Sequence, residues 1–87
     1  MPVVELYGRA RLLAGVRSVR VPGETIGQAL HSLARLHPEL VGPVLDEAGG
    51  LTTAYALNLN GLRFCSDLAE PIRGDDQLLL ISSLSGG

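Results

Sequence analysis

Few side chains in this 87-residue chain could do chemistry. Cys65 is the single thiol, which permits no internal disulfide. On a strand such a residue reads first as a small buried hydrophobe and second as a sulfur relay. His31 lies on a helical stretch but off its apolar stripe, which predicts a surface position. His37 falls at the end of that stretch, near the negative end of the helix dipole. Neither imidazole has partners at zinc-ligand spacing, so no metal site is expected. Asp75-Asp76 follow Gly74, which is ordinary turn chemistry. "GETIGQAL" lacks the Lys-Ser/Thr ending of a phosphate loop. Gly49-Gly50 is internal and reads as a loop.

What remains is the pair Gly86-Gly87, which follows the apolar run "LLLISSLS". A free carboxylate is a poor acyl donor at neutral pH. ATP can convert it to an acyl-adenylate, whose leaving group lets a nucleophile in. A tail entering a buried activating site has to pass a narrow channel. Gly has no Cβ and adopts almost any backbone conformation, so Gly-Gly suits such a channel. Gly87 is therefore the candidate reactive residue and Gly86 the residue that threads the channel.

The elements that would position this tail can be read from periodicity. "VVELY" (residues 3–7) and "RSVRV" (17–21) have strand character. Gly8 and Gly15 bracket "GRARLLAG", which predicts a hairpin connection between them. "TIGQALHSLARLHPE" predicts the main helix, with Thr25 as N-cap and Gln28 closing a capping box. Ile26, Leu30, Leu33 and Leu36 recur along it at helical spacing. Gly27 weakens its first turn, and Pro38 ends it at or before His37. A short helical turn is expected in "ELVGPVLDEAGG". "TTAYALNLNGLRFC" predicts a hairpin turning at Asn60-Gly61, where both central positions tolerate positive φ. "SDLAEPIRGDD" is a loop, and "QLLLISSL" is the last strand.

The order β-β-α-β-β-β with one substantial helix predicts an α+β fold of the β-grasp kind. A mixed sheet would pack on one main helix, as a single domain over residues 1–87 with a flexible Gly-Gly tail. In the last strand Leu78, Leu80 and Leu84 share one parity, while Leu79 and Ile81 share the other. Both faces are apolar, yet one helix covers one face. Either loops cover the second face, or it is an exposed docking surface. The candidate partner-binding residues are Leu79, Leu80, Ile81 and Leu84, with Phe64 from the hairpin.

Composition narrows the function classes. Hydrophobic residues make up 46% of the chain, which excludes a disordered segment. The formal charge is -2 and aromatics are 3%, unlike the basic, aromatic-bearing surface of a nucleic-acid binder. Arg9, Arg11, Arg17 and Arg20 read as a solvated edge. All 7 basic residues are Arg, so no side-chain amine is available for isopeptide-linked chains of this protein with itself. The longest apolar run, Leu78 to Ile81, is too short to span a membrane. With no signal peptide and a lone Cys, a reducing, cytoplasmic location is expected.

Taken together, the "NLNG" hairpin, the acidic turn "GDD", the apolar last strand and the terminal "SGG" resemble the ubiquitin-like sulfur-carrier family. That family includes the molybdopterin synthase small subunit and the carriers of thiamine and cysteine biosynthesis. The resemblance covers the whole chain in element order and length. It implies a carrier, not an enzyme, with no bound cofactor. A ubiquitin-activating-type adenylyltransferase would adenylate the Gly87 carboxylate with ATP. Sulfur would then replace the activated oxygen, giving a thiocarboxylate. The acceptor enzyme would be of the molybdopterin synthase large subunit or cysteine/thiazole synthase type. Ser82-Ser83 stand where many molybdopterin synthase small subunits have Pro-Pro, and the loop after the helix is longer than in thiamine carriers. The competing readings are a protein modifier conjugated through Gly87 and an interaction domain with an inert tail.

Overall fold

The computed structural model describes residues 1–83. Leu84, Gly86 and Gly87, and with them the expected flexible tail, lie outside the described residues. The elements are β1 (Val3–Leu6), α1 (Arg9–Ala14), β2 (Ser18–Arg20), α2 (Ile26–Leu36), a 3-10 turn (Pro38–Leu40), β3 (Tyr55–Leu59), β4 (Arg63–Cys65) and β5 (Gln77–Ser82). The strands form one 5-stranded sheet in the order β2-β1-β5-β3-β4. β5 pairs parallel with β1 and antiparallel with β3, so the sheet is mixed and β5 lies at its centre. This is the α+β, β-grasp architecture expected from the sequence.

The helix α2 forms for the reasons its sequence suggests. The Thr25 hydroxyl accepts from the Gln28 amide at 3.1 Å. The Gln28 side chain reaches back to the Glu24 amide at 2.8 Å, one residue earlier than in a regular capping box. Ile26, Ala29, Leu30 and Leu33 are buried along one stripe, against Leu78 and Leu80 of β5 and Leu57 of β3 in a single core. Pro38 stops the helix, leaving His37 as its C-cap. Gly27, whatever it costs the first turn in helix propensity, also leaves room for the loop after β4. A Cβ there would sit 3.0 Å from the Leu68 carbonyl oxygen, which accepts from the Gly27 amide at 2.8 Å. The missing side chain lets the loop after β4 close onto the first turn of α2.

One expectation is overturned. The segment between β1 and β2 is not a plain hairpin connection, because it contains the helix α1. Gly8 and Gly15 do punctuate it, but as helix caps. Gly15 takes φ 75 at the left-handed C-cap and its amide bonds the Arg11 carbonyl. At 6 residues α1 has too little intrinsic stability to form alone. Tertiary contacts hold it: Ala10 is fully buried, and its amide donates to the Tyr55 hydroxyl at 2.8 Å. That hydroxyl in turn donates to the Tyr7 carbonyl at 3.3 Å.

Candidate functional site: the uncovered sheet face

The two faces of the sheet are set by strand register. One inner row runs Val19, Val4, Leu78, Leu59, and the next runs Leu6, Leu80, Leu57, Cys65. Val4, Leu6, Leu78 and Leu80 are fully inaccessible. Every strand residue of the hydrophobic core has this inner parity. The outer row runs Ser18, Glu5, Leu79, Asn58, Phe64 across all the strands, and Ile81 pairs with Ala56 in the next row. Leu79 and Ile81 are half-buried, and Phe64 is 65% exposed.

The sequence-derived docking set therefore divides. Leu79, Ile81 and Phe64 share the outer face, and register brings Leu79 and Phe64 to either side of Asn58. Leu80 does not belong with them. It is 0% exposed, pairs with Leu57 and faces α2, so it is core and has no surface to offer a partner. Leu84 lies outside the described residues. At the margin of the outer face Tyr7 donates to Glu5 Oε1 at 2.9 Å, and the Arg11 guanidinium lies 5.2 Å from the Tyr7 ring centroid. The hydrogen bond to Glu5 is the main reason the Tyr7 hydroxyl is harder to ionise than usual.

β5 enters and leaves the sheet through polar fasteners. At its start Asp76 accepts from the Arg73 amide at 2.8 Å and from Asn60 Nδ2 at 3.0 Å. Asn60 Oδ1 accepts from the Gln77 amide at 2.8 Å, and the Asn60 amide donates to the Gln77 carbonyl. The hairpin turn itself has φ 60 at Asn60 and φ 74 at Gly61, the two positive values its sequence suggested. The "NLNG" and "GDD" segments are thus stapled to each other. The amide bond from Arg73, then that from Asn60, holds the Asp76 carboxyl below the usual carboxylate range. At the other end the Ser83 amide donates to the Ala54 carbonyl at 2.9 Å, so β5 is anchored up to the last described residue.

The remaining candidates carry no reactive arrangement. Cys65 has inner parity and is half-buried beside a hollow of about 370 Å³ at the β4 edge, lined also by Ile26, Leu30, Leu51 and Leu68. Burial, and then the Glu70 charge, push its thiol pKa up, the reverse of an activated thiolate. Arg63, which donates to Cys65 Sγ, is also paired with Glu70. His31 is exposed. His37 Nδ1 lies 2.9 Å from Glu39 Oε2, and that contact lowers the Glu39 pKa. Among the described residues no group of His, Cys, Asp and Glu could hold a metal ion, and no helix is long and apolar enough to cross a membrane.

No family model and no curated protein matches the chain. Solved structures do. SAMP1 from Haloferax volcanii is 31% identical, covering 99% of this chain and 98% of that one, with a TM-score of 0.83. The chain belongs to the ubiquitin-like sulfur-carrier family. The carrier fold extends to more distant proteins. A chain of the Amycolatopsis orientalis BexX/CysO complex is 18% identical, with full coverage of both chains and a TM-score of 0.81. A putative molybdopterin converting factor subunit 1 from Pyrococcus furiosus is 22% identical, covering 95% of this chain and 97% of that one, at a TM-score of 0.73. Among the described residues the candidate site is a face of the sheet rather than a pocket. Sequence reasoning missed Asn58, which alternates with Leu57 and Leu59 and so reads as an ordinary solvent-facing strand residue. No sequence signal reveals that it is 9% exposed.

Proposed function

We propose that this protein carries sulfur at Gly87. The carboxylate attacks the α-phosphate of ATP in an adenylyltransferase of the ubiquitin-activating type, giving the acyl-adenylate and pyrophosphate. A sulfide-level nucleophile then displaces AMP and leaves a C-terminal thiocarboxylate. An acceptor enzyme takes the sulfur, and water restores the carboxylate. The observation that carries this reading is the end-to-end match to SAMP1 at 31% identity. The geometry agrees with it. The central strand β5 runs toward Gly86-Gly87, and its outer residues Leu79 and Ile81 lie on an apolar face that a partner can cover. Acceptors of the molybdopterin synthase large subunit and the cysteine or thiazole synthase type suit the neighbouring folds.

A second reading has its own support, because SAMP1 is a small archaeal modifier protein. The same adenylate could be passed to a lysine of a target protein. Intact mass spectrometry of protein from its native host separates the two. A carrier shows one oxygen replaced by sulfur, and a modifier shows a partner's added mass. The tail itself is tested by ATP-pyrophosphate exchange with the adenylyltransferase of the same host. Deleting Gly87 withdraws the carboxylate by up to about 3.5 Å along an extended chain. A misplacement of about 1 Å can already cost on the order of a hundredfold in rate. Exchange should therefore fall at least that far, and Gly86→Val should also abolish it by blocking the channel. Wild-type exchange by the shortened chain would refute the carrier and modifier readings together.

A further inference from the structure

Arginines near the start of the chain lie on a sheet edge that is open. β2 is an outermost strand, with β1 on one side and no strand on the other among the described residues. Its ladder to β1 fixes which backbone groups are free. The Leu6 amide donates to the Arg17 carbonyl at 2.8 Å, and the Val21 amide to the Pro2 carbonyl at 3.0 Å. Antiparallel bonding alternates along a strand. Arg17, Val19 and Val21 therefore face β1, and Ser18 and Arg20 aim their N–H and C=O groups outward. Arg17, Ser18 and Arg20 are all exposed. Neither arginine, nor Arg35 on α2, is ion-paired among the described residues. At the end of β2, Pro22, Ser32, Arg35 and Leu36 line a hollow of about 220 Å³, and Leu36 is 54% exposed. The Ser32 hydroxyl donates to the Pro22 carbonyl at 2.8 Å, which ties α2 to this strand. The opposite edge differs, because Arg63 on β4 is paired with Glu70. Charges on an edge strand commonly repel other strands. Arginines on β2 repel a second β2, but they attract a strand of opposite charge.

We propose that the β2 edge takes an extended segment of a partner protein, in which acidic and apolar residues alternate, as a further strand of the sheet. The outward N–H and C=O groups of Ser18 and Arg20 supply its hydrogen bonds. Residues directly opposite on neighbouring strands share a face, so an acidic side chain opposite Arg20 meets the guanidinium on the outer face. The residues next to it in sequence point to the α2 side, where the hollow at Leu36 receives an apolar side chain. Arg17 and Arg35 add to the positive field that draws such a segment in. The site involves neither Gly87 nor ATP, so it goes beyond the carrier reading without depending on it.

The probe is a capped synthetic peptide of about seven residues, alternating Glu and Val, a usual strand length. Amide hydrogen exchange in the full chain reads its binding. At about 1 mM the peptide should slow exchange of the Ser18 and Arg20 amides severalfold and leave the β4 edge unchanged. Arg20→Glu should weaken binding about tenfold, with a Tm within a few degrees of wild type because the side chain is exposed. Ser18→Pro, which removes an outward donor, should weaken it too, and Arg20→Glu decides alone if that variant does not fold. An added strand presents only alternate amides to β2. N-methylation of one alternate set of peptide amides should therefore abolish binding, and methylation of the other set should spare it. Attraction by charge alone would not tell the two sets apart. Equal binding by both methylated peptides, or by a peptide with Lys in place of Glu, overturns the proposal. So does protection at β4 instead of β2, or no protection at about 1 mM peptide. Equal protection of the same amides by single-stranded DNA would give the edge to a phosphate chain. Protection that appears on raising the protein's own concentration would give it to a second copy. Either result also overturns the proposal, and the carrier reading stands in every case.

Discussion

Leu78 and Leu80 are fully inaccessible, while Leu79 and Ile81, neighbours on the same central strand, remain half-exposed. Residue type does not separate the two pairs. What separates them is the layer above. α2 supplies Ile26, Leu30 and Leu33 to one side, and no helix covers the other among the described residues. The inner face therefore turns its hydrophobic residues into stability, and the outer face leaves its own partly uncovered. The comparison breaks most sharply at Leu80. Leu80→Ala should cost about 2–5 kcal/mol, since the cavity it leaves collapses only partly between α2 and β3. A Tm measurement should show a fall of ten degrees or more, by roughly 4–8 °C per kcal/mol. A fall within a degree or two would mean that the inner face is not the core.

The outer face should respond the other way round. Leu79→Glu leaves the core intact, so Tm should move by no more than a few degrees. A charge at the centre of an apolar contact should raise the carrier KM in the exchange assay by on the order of tenfold or more. Phe64→Ala removes an exposed aromatic and should weaken docking less, by several-fold, with Tm nearly unchanged. If Leu79→Glu unfolds the protein, the second face is as structural as the first and the distinction between them disappears.

How much of this was legible depended on the range of the interaction. The Thr25 cap, the Asn60-Gly61 turn and the stop at Pro38 are local, written in adjacent residues, and the structure repeats them. The two-sided greasiness of β5 was also visible, but not which side faced out. Leu79 and Leu80 are the same residue on a strand of period two, and only the position of α2 distinguishes them. The helix α1 was hidden because Gly8 offers no side-chain cap and the helix is short. What holds it is the Tyr55 hydroxyl, 45 residues away in sequence. Asn58 was hidden for the same reason. It is buried although it lies on the outer face, and its neighbours there, Phe64 and Leu79, are set beside it only by strand register.

The smallest effect sharpens the comparison from the edge of the strand. Asp76 sits where β5 begins, before the faces diverge and at the opposite end from the tail. The Arg73 amide and Asn60 hold its folded pKa below the usual carboxylate value, so its ionised form favours the folded state. That contribution is fully present above the unfolded pKa of about 3.9 and is lost as pH falls through the lower folded value. Asp76→Ala should therefore lower Tm modestly at pH 6, by no more than a few degrees for so accessible a group. The gap to wild type should narrow as pH drops below about 4, where the wild-type carboxyl also takes up its proton. Exchange at neutral pH should keep its wild-type KM, because neither Leu79 nor Phe64 is touched. Thermal melts between pH 6 and 2.5, run beside the exchange assay, check both halves. A gap that stays constant to the acid limit would mean that the hydrogen bonds at Asp76 do not depend on its charge. A raised KM would mean that the outer face is set by how β5 enters the sheet, and not only by the residues it displays.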